Sequence, residues 1–388
     1  MMLFLLAFVL CVASAEDSHV SLNANNLFTP AVYKEIAKSE TGNFLVSPFS
    51  AKIILSLAQS GCKNETAKEI RQALYLPDDN SKIQSDVKNV LSALTKNEYA
   101  LHAANKIYVK ENFAINDEFK QEAVEVYQSE IESLDFCKKE EAATAMNQWV
   151  EEKTQNKIQN LINPDILDNK TRAVLINALY FQGNWSITFP PMLTAKANFY
   201  KSENEVVEVD TMNLEDEELL YYECPYLNAK LLELPFKGEG ASMTIVLPNE
   251  KHGLASLESN IKWVFTPHNL TLETVSVALP KFKIESQLDL KAVLQNLGVA
   301  KVFDEEQADL SGIAGEKGDL IISAVVQKTF VEVDEKGVEA AAATYIPVIV
   351  PDMGVVDPKT FIADHPFIFY IKVKGVILFA GRVVLPTL

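Results

Sequence analysis

The sequence predicts an α+β fold, and three observations carry that reading. The first half holds apolar residues at three- and four-residue spacing, the second half holds short β-branched and aromatic runs bounded by Gly, Pro or charge, and no repeat or low-complexity stretch interrupts either. The chain has 388 residues, 48% of them hydrophobic, so a substantial core can form. No linker-like stretch divides it, which points to one large domain or two tightly fused ones.

Residues 1–15, "MMLFLLAFVLCVASA", are apolar and end in the small-residue pattern Ala13-Ser14-Ala15 before Glu16-Asp17. That is the pattern of a secretory signal peptide cleaved after Ala15, although no Lys or Arg precedes the apolar part. The run is shorter than the roughly 18 residues that span a bilayer, so the mature chain is expected to be soluble, secreted and extracellular. Next come helical patterns. "ETAKEIRQALYL" (Glu65 to Leu76) ends before the turn cluster Pro77-Asp78-Asp79-Asn80, and "TAMNQWVEEKTQNKIQNLI" (Thr144 to Ile162) ends at Asn163-Pro164. From Arg172 the pattern changes: "AVLINALYFQ", "AKLLELPF", "SMTIVLP", "VSVALPKFKI" and "FIFYIKV" read as strands. "LDLKAVLQNLGV" (Leu288 to Val299) returns to helix and stops at Gly298.

Charge and cysteine content narrow the function. Fifty-three acidic against 35 basic residues give −18, which disfavours nucleic acid and anionic membranes, and no stripe of lysines suggests a polyanion site. Removal of the signal takes Cys11 and leaves Cys62, Cys137 and Cys224, an odd set that allows at most one bridge and excludes a disulfide scaffold. Sequons at Asn64, Asn169 and Asn269 are candidate glycosylation sites; a fourth, at Asn184, sits among aromatics in "YFQGNWSITF" and is the least suited to a glycan.

Enzyme chemistry finds little to stand on. The histidines, at 19, 102, 252, 268 and 365, lie in no nucleophile motif, no paired Cys or His announces zinc, and no Gly-rich phosphate cradle occurs. The acidic pairs Glu140-Glu141, Glu151-Glu152 and Glu305-Glu306 suit solvated faces or turns. Neither a cofactor nor a metal is expected.

One stretch resists this plain reading. "VEVDEKGVEAAAATYIPVIVPDMGVV" (Val331 to Val356) holds four consecutive alanines, Ala340, Ala341, Ala342 and Ala343, which by propensity alone would be helix. Read with a period of two, Val338, Ala340, Ala342, Thr344 and Ile346 share one face and Glu339, Ala341, Ala343 and Tyr345 the other. The segment therefore also fits as a strand entering a narrow slot, with Gly337 as a backbone pivot.

"VEVDEKGVEAAAAT" resembles the hinge of the serpins, and further segments resemble that family in its order: "NFLVSPFSAKIILSLAQSGCKNET" with Ser47-Pro48-Phe49-Ser50, "NQWVEEKTQNKI", "VLINALYFQGNW" with Asn177 and Trp185, then "LPKFKI", "ADLSGI", "DHPFIFYI" and "ILFAGRVVLP". The resemblance runs from Asn23 to Pro386. It implies a single serpin domain over residues 16–388, with helices packed on a large mixed central sheet and two smaller sheets. It also implies an exposed reactive-centre loop at about residues 337–360. The implied function is suicide inhibition. A target serine protease attacks the loop, and at the acyl-enzyme stage the loop inserts into the central sheet and carries the protease with it in a covalent complex. The implied hinge is Glu335 and Gly337 to Thr344; the implied shutter and breach residues are Ser47, Ser50, Asn177, Trp185 and Gln327. A monomer is expected.

Three residues depart from the family pattern. Gln327 stands where His is frequent, so the local polar network uses an amide with no titrating proton. Val338 replaces a near-isosteric Thr, and Pro347 removes a ladder hydrogen bond from the segment to be inserted, which predicts slower completion. The scissile bond falls after Pro351 counting from Glu335 and after Val355 counting back from Pro366. Between them Met353-Gly354 pairs a flexible apolar side chain with an unhindered residue; Val350 and Val355, the latter before Val356, are its rivals. No Lys or Arg occurs between Val338 and Asp357, so chymotrypsin-, elastase- or subtilisin-like targets are expected. The alternatives are a non-inhibitory or substrate-like serpin (carrier, storage or chaperone) and a cross-class inhibitor of cysteine proteases.

Overall fold

The computed structural model describes residues 25–94, 99–338 and 358–388. Helix α1 (residues 25–37) leads into β1 (Phe44–Val46) and helices α2 (Pro48–Ser60), α3 (Asn64–Ala73) and α4 (Asn80–Leu94). Strand β2 (Ala100–Lys110), α5 (Asp117–Glu125), β3 (Glu130–Leu134) and α6 (Lys139–Lys153) follow, then β4 (Ala173–Asn184), β5 (Ala195–Ser202) and β6 (Glu205–Cys224). Next are β7 (Ala229–Pro235), β8 (Ala241–Pro248), short α7 (Leu254–Ser259) and α8 (Ile261–Val264), β9 (Thr271–Pro280), β10 (Phe282–Asp289) and α9 (Leu290–Asn296). The chain closes with β11 (Ile322–Val333), β12 (Gly337–Val338), β13 (Lys359–Ile362), β14 (Phe367–Val373) and β15 (Val376–Val383).

Among the described residues these strands form two sheets. A six-stranded mixed sheet runs β10-β11-β12-β4-β2-β3, and a nine-stranded one runs β1-β15-β14-β8-β7-β6-β9-β13 with β5 paired to β6. The two smaller sheets implied by the resemblance are joined in one hydrogen-bonded path because β6 is 20 residues long. Its first part pairs with β5 and its last part with β7. An irregularity between Leu214 and Glu217, where Asp216 has φ 52°, bends the strand between the two roles.

Helix α2 explains how the layers are held together. "PFSAKIILSLAQS" is apolar nearly all round and almost wholly buried, against β15 on one side and β4 and β2 on the other. Its start is fixed by Pro48 in the first turn and by the Ser47 hydroxyl, which accepts the Ser50 N–H at 3.2 Å. Helix α6 lies on the outer face of the six-stranded sheet. Ala142, Ala143, Met146 and Val150 repeat at helical spacing and meet Tyr108, Ile176, Tyr180 and Val326 in a separate apolar cluster.

Several expected boundaries shift for local reasons. The helix predicted over Thr144 to Ile162 stops at Lys153, because Gln155 and Asn156 adopt φ of 52° and 61° and break the spiral well before Pro164. The helix predicted from Leu288 begins at Leu290, since Asp289 caps it by accepting the Lys291 N–H, and it ends before Gly298 at φ 93°. "VSVALPKFKI" divides between the sheets: β9 ends at Pro280 and β10 starts at Phe282. The first half is not purely helical either, since it supplies β2 and β3.

Candidate functional site

The candidate site is the junction of β11 and β4 in the six-stranded sheet. Over most of their length these strands are direct parallel neighbours, from Ile322 opposite Ala173 to Phe330 opposite Tyr180. At one end they part and β12 lies between them, with Val338 opposite both Val333 and Gly183, and Gly337 opposite Asn184. The first two residues of the expected exposed loop therefore stand in the sheet already, and Val338 is fully buried.

A tight turn makes this possible. The Asp334 carboxylate accepts the N–H groups of Lys336 and Gly337 at 2.8 and 3.2 Å, and the Asp334 N–H donates to Gly337 O at 3.0 Å. Gly337 is required by close approach more than as a pivot: a Cβ there would lie 2.1 Å from Gly183 O and 2.7 Å from the Asn184 Cα. Trp185 braces the turn from below. Its ring N–H donates to Asp334 O at 3.0 Å, its backbone N–H to Lys336 O at 2.8 Å, and its ring stacks on Phe236 at 4.5 Å. Glu335 is tied down by Lys281 at 3.0 Å and by the Thr194 hydroxyl at 2.9 Å. Burial pushes its carboxyl up, but hydrogen bonds from Lys281 and Thr194 more than offset this and hold it below the usual carboxylate range.

Further along the same strand pair lies a buried polar cluster. Gln327 of β11 sits opposite Asn177 of β4. The Gln327 amide oxygen accepts the Ser47 N–H at 2.8 Å, while its NH2 donates to Ser47 O at 2.9 Å and to the Asn177 side-chain oxygen. The Asn177 NH2 donates in turn to Ser50 Oγ and to Asn105 Oδ1, and the Ser47 hydroxyl donates to Leu378 O at 2.7 Å. The amide thus replaces an imidazole without leaving a group unpaired: one acceptor and two donors are all used.

Of the residues singled out from sequence, Ser47, Ser50, Asn177 and Gln327 meet in that cluster, and Trp185, Glu335, Gly337 and Val338 meet at the turn, so the two groups form separate sites along one seam. Glu339 to Thr344, Pro347 and every candidate for the scissile bond from Val350 to Val356 lie outside the described residues, as do residues 1–15. Asn105 was missed by sequence reasoning, as were Lys281 and Thr194. "ALHAANKIYVK" carries no turn or motif signal, and only the β2–β4 register, Asn105 opposite Asn177, brings Asn105 to the cluster. Asn64, Asn169 and Asn269 are exposed, whereas Asn184 is half-buried in β4 opposite Gly337. Cys62 and Cys224 are buried and Cys137 is exposed, all as free thiols.

His365 lies beside a carboxylate, and its geometry is structural. One ring nitrogen meets Asp364 at 2.6 Å and the other meets Pro248 O at 2.7 Å, so neither is left to serve a nucleophile. No group of three or more His, Cys, Asp or Glu that could hold a metal occurs among the described residues. No described helix is long and apolar enough to cross a membrane.

Comparison with known proteins places this geometry. A family model described as serpin (serine protease inhibitor) matches residues 23–386. Alaserpin of Manduca sexta is 36% identical over 100% of this chain and 99% of its own length, and Antichymotrypsin-2 of Bombyx mori is 36% identical over 94% and 98%. The crystal structure of Serpin48, described as a highly specific serpin in the insect Tenebrio molitor, superposes with a TM-score of 0.90 at 62% identity, covering 95% of this chain and 98% of that one.

Proposed function

The chain belongs to the serpin family, and from that premise we propose that it is a secreted suicide inhibitor of serine proteases that cleave after apolar residues. The observation that carries the reading is β12. The hinge enters the sheet between two strands that are parallel neighbours beyond it, so a segment following Val338 has a track to extend along, antiparallel to both. The protease serine attacks the scissile carbonyl, the peptide bond breaks, and the loop's upstream part becomes an ester on the enzyme. The amine of the downstream residue is the leaving group, the chain beyond it stays in the nine-stranded sheet with β13, and the freed hinge side inserts between β11 and β4.

The small residues Ala340 to Ala343 lower the steric barrier to this entry. About 13 residues from Val338 span roughly 43 Å at about 3.3 Å each. Catalytic geometry tolerates misplacement of only about 1 Å, so a protease dragged this far is distorted before it hydrolyses the ester. The relatives' names point both ways on the target class, since one is called an antichymotrypsin and another, of Bombyx mori and 35% identical, an antitrypsin. The loop's lack of Lys and Arg supports the apolar class. Met353-Gly354 is the scissile bond in this reading, Asn64, Asn169 and Asn269 carry glycans, and the inhibitor acts as a monomer.

Incubation with chymotrypsin, pancreatic elastase and subtilisin tests the proposal. An SDS-stable complex at the sum of the two masses less that of the C-terminal peptide is expected with at least one, and mass spectrometry should find that peptide beginning at Gly354. Clipped chain with no complex across the panel would overturn the inhibitory reading in favour of a substrate-like serpin, the reading that Pro347 in the inserting segment favours.

A further inference from the structure

The seam between β11 and β4 has a far end, opposite the hinge, and the residue that closes it stands just outside β4. Arg172 directly precedes the first residue of that strand, Ala173. Its guanidinium donates to Gly318 O at 2.8 Å and to Asp319 O at 2.7 Å, in the turn that leads into β11. Its backbone N–H donates to the Ser323 hydroxyl at 3.0 Å, where β11 carries an extra residue between Ile322 and Ala324 and its ladder with β4 is interrupted. Three bonds from one residue thus bridge the two strands where their own pairing runs out, and two of them come from a charged donor, the stronger kind.

The two sides of this clasp are anchored separately. On one side the Arg172 carbonyl accepts the Lys110 N–H at 2.8 Å, which ties Arg172 to β2 and through it to β4. On the other, the Gly318 N–H donates to Ala308 O at 3.0 Å and the Asp319 N–H to Glu316 O at 3.1 Å, while Ser323 O accepts from Lys291 of α9 at 3.3 Å. Parting β4 from β11 pulls the clasp apart instead of carrying it along. Val338 sits opposite Gly183, so a strand continued antiparallel along β4 brings its twelfth residue opposite Arg172, which lies eleven positions before Gly183. An added strand widens the gap between β4 and β11 by about 4.8 Å, and a hydrogen bond is lost beyond about 3.5 Å. The clasp leaves the first part of a 13-residue insertion free and stands against the last.

We propose that Arg172 is a positioning residue that holds the far end of the seam shut and sets how readily insertion runs to completion. This rests on the insertion mechanism proposed above. In the intact protein the clasp opposes spontaneous parting of the strands. After cleavage it has to break before the last residues enter, and that step runs against hydrolysis of the acyl-enzyme ester by water. Slower completion releases more active protease together with clipped chain; a weaker clasp gives more complex per chain and a less stable intact inhibitor.

Arg172→Met, which keeps most of the stem and removes the guanidinium donors, is the test, with Lys170→Met, an exposed neighbour, as the control for lost charge. Guanidinium chloride midpoints are compared for intact protein and for protein cut in the loop by a protease that it does not trap. Arg172→Met should lower the midpoint of the intact form and leave that of the cut form unchanged. Against chymotrypsin, elastase and subtilisin its ratio of clipped chain to covalent complex should fall about threefold or more, the effect on a rate of losing one hydrogen bond. Arg172→Lys should fall between, and Lys170→Met should match the unaltered protein throughout. An equal fall in both midpoints would make Arg172 an ordinary structural residue and overturn the proposal, as would an unchanged midpoint of the intact form or an unchanged ratio. An unaltered protein whose cut form is no more stable than the intact one, or that forms no complex, overturns the insertion mechanism itself and this proposal with it, so the two failures are told apart.

Discussion

Replacing Gln327 by alanine attacks the seam where β11 and β4 are still direct neighbours. Gln327 is fully buried and its amide makes three hydrogen bonds, from the Ser47 N–H and to Ser47 O and the Asn177 side chain. The substitution orphans all three partners at once. Each buried polar group left unpaired costs about 1–3 kcal/mol, and a water entering the vacated space recovers part of that, so a net loss of about 3–5 kcal/mol is expected. The first transition in urea unfolding, followed by intrinsic fluorescence, reads this loss. Gln148→Ala is the control, because Gln148 is exposed and its amide reaches only Glu152 on the same helix; it should change stability by no more than about 0.5 kcal/mol. The cluster also holds the two strands together, so Gln327→Ala should convert faster on mild heating to loop-inserted or polymeric forms on native gels. A loss below about 1 kcal/mol, or one equal to the control, would refute the claim that this amide holds the seam.

Three further outcomes follow from the same geometry. Gly337→Ala places a methyl against Gly183 O, backbone that cannot swing aside; a cost of about 1–3 kcal/mol in thermal unfolding is expected, with more cleaved chain and less covalent complex per protease consumed. The Glu335 carboxyl is held below the usual glutamate range, so its stabilisation is present above the unfolded value of about 4.3 and is lost as pH falls through the lower folded value. Glu335→Gln should therefore flatten the acid limb of melting temperature against pH below the ordinary glutamate value of about 4.3, and an unchanged limb would contradict the Lys281–Glu335 assignment. Iodoacetamide at neutral pH should label Cys137 and spare Cys62, whose thiol is pushed far up by burial and secondarily by Asp309; comparable labelling of Cys62 in the folded protein would count against its burial.

What was legible in the sequence divides along physical lines. The β14 run "FIFYIKV" could be read directly because it is hydrophobic on both faces and bounded by turns. Ser47 and Ser50 were reached only through the resemblance of "NFLVSPFSAKIILSLAQSGCKNET" to the serpins, and the structure adds that Ser47 caps α2. The hinge was legible through the smallness of its residues, yet the role of Gly337 was not. Its requirement comes from Gly183, 154 positions earlier in number and adjacent only once β4 and β12 pair. Asn105 and the Thr194–Lys281 hold on Glu335 were hidden for the same reason: each depends on register or on a contact between distant segments. Strand β6 was missed because its acidic middle breaks the period-two pattern where the strand bends.

The central claim is that the segment after Val338 inserts between β11 and β4 once the loop is cut. Insertion exchanges one ladder of eight residue pairs for two such ladders, and at about 0.5–1.5 kcal/mol for each added hydrogen bond the inserted form gains about 4–12 kcal/mol. Cleaving the loop with a protease that is not trapped, then comparing thermal unfolding of cut and intact protein, measures this directly. The account predicts a sharp rise in Tm on cleavage. An unchanged or lowered Tm, with cleavage confirmed by mass, would contradict it.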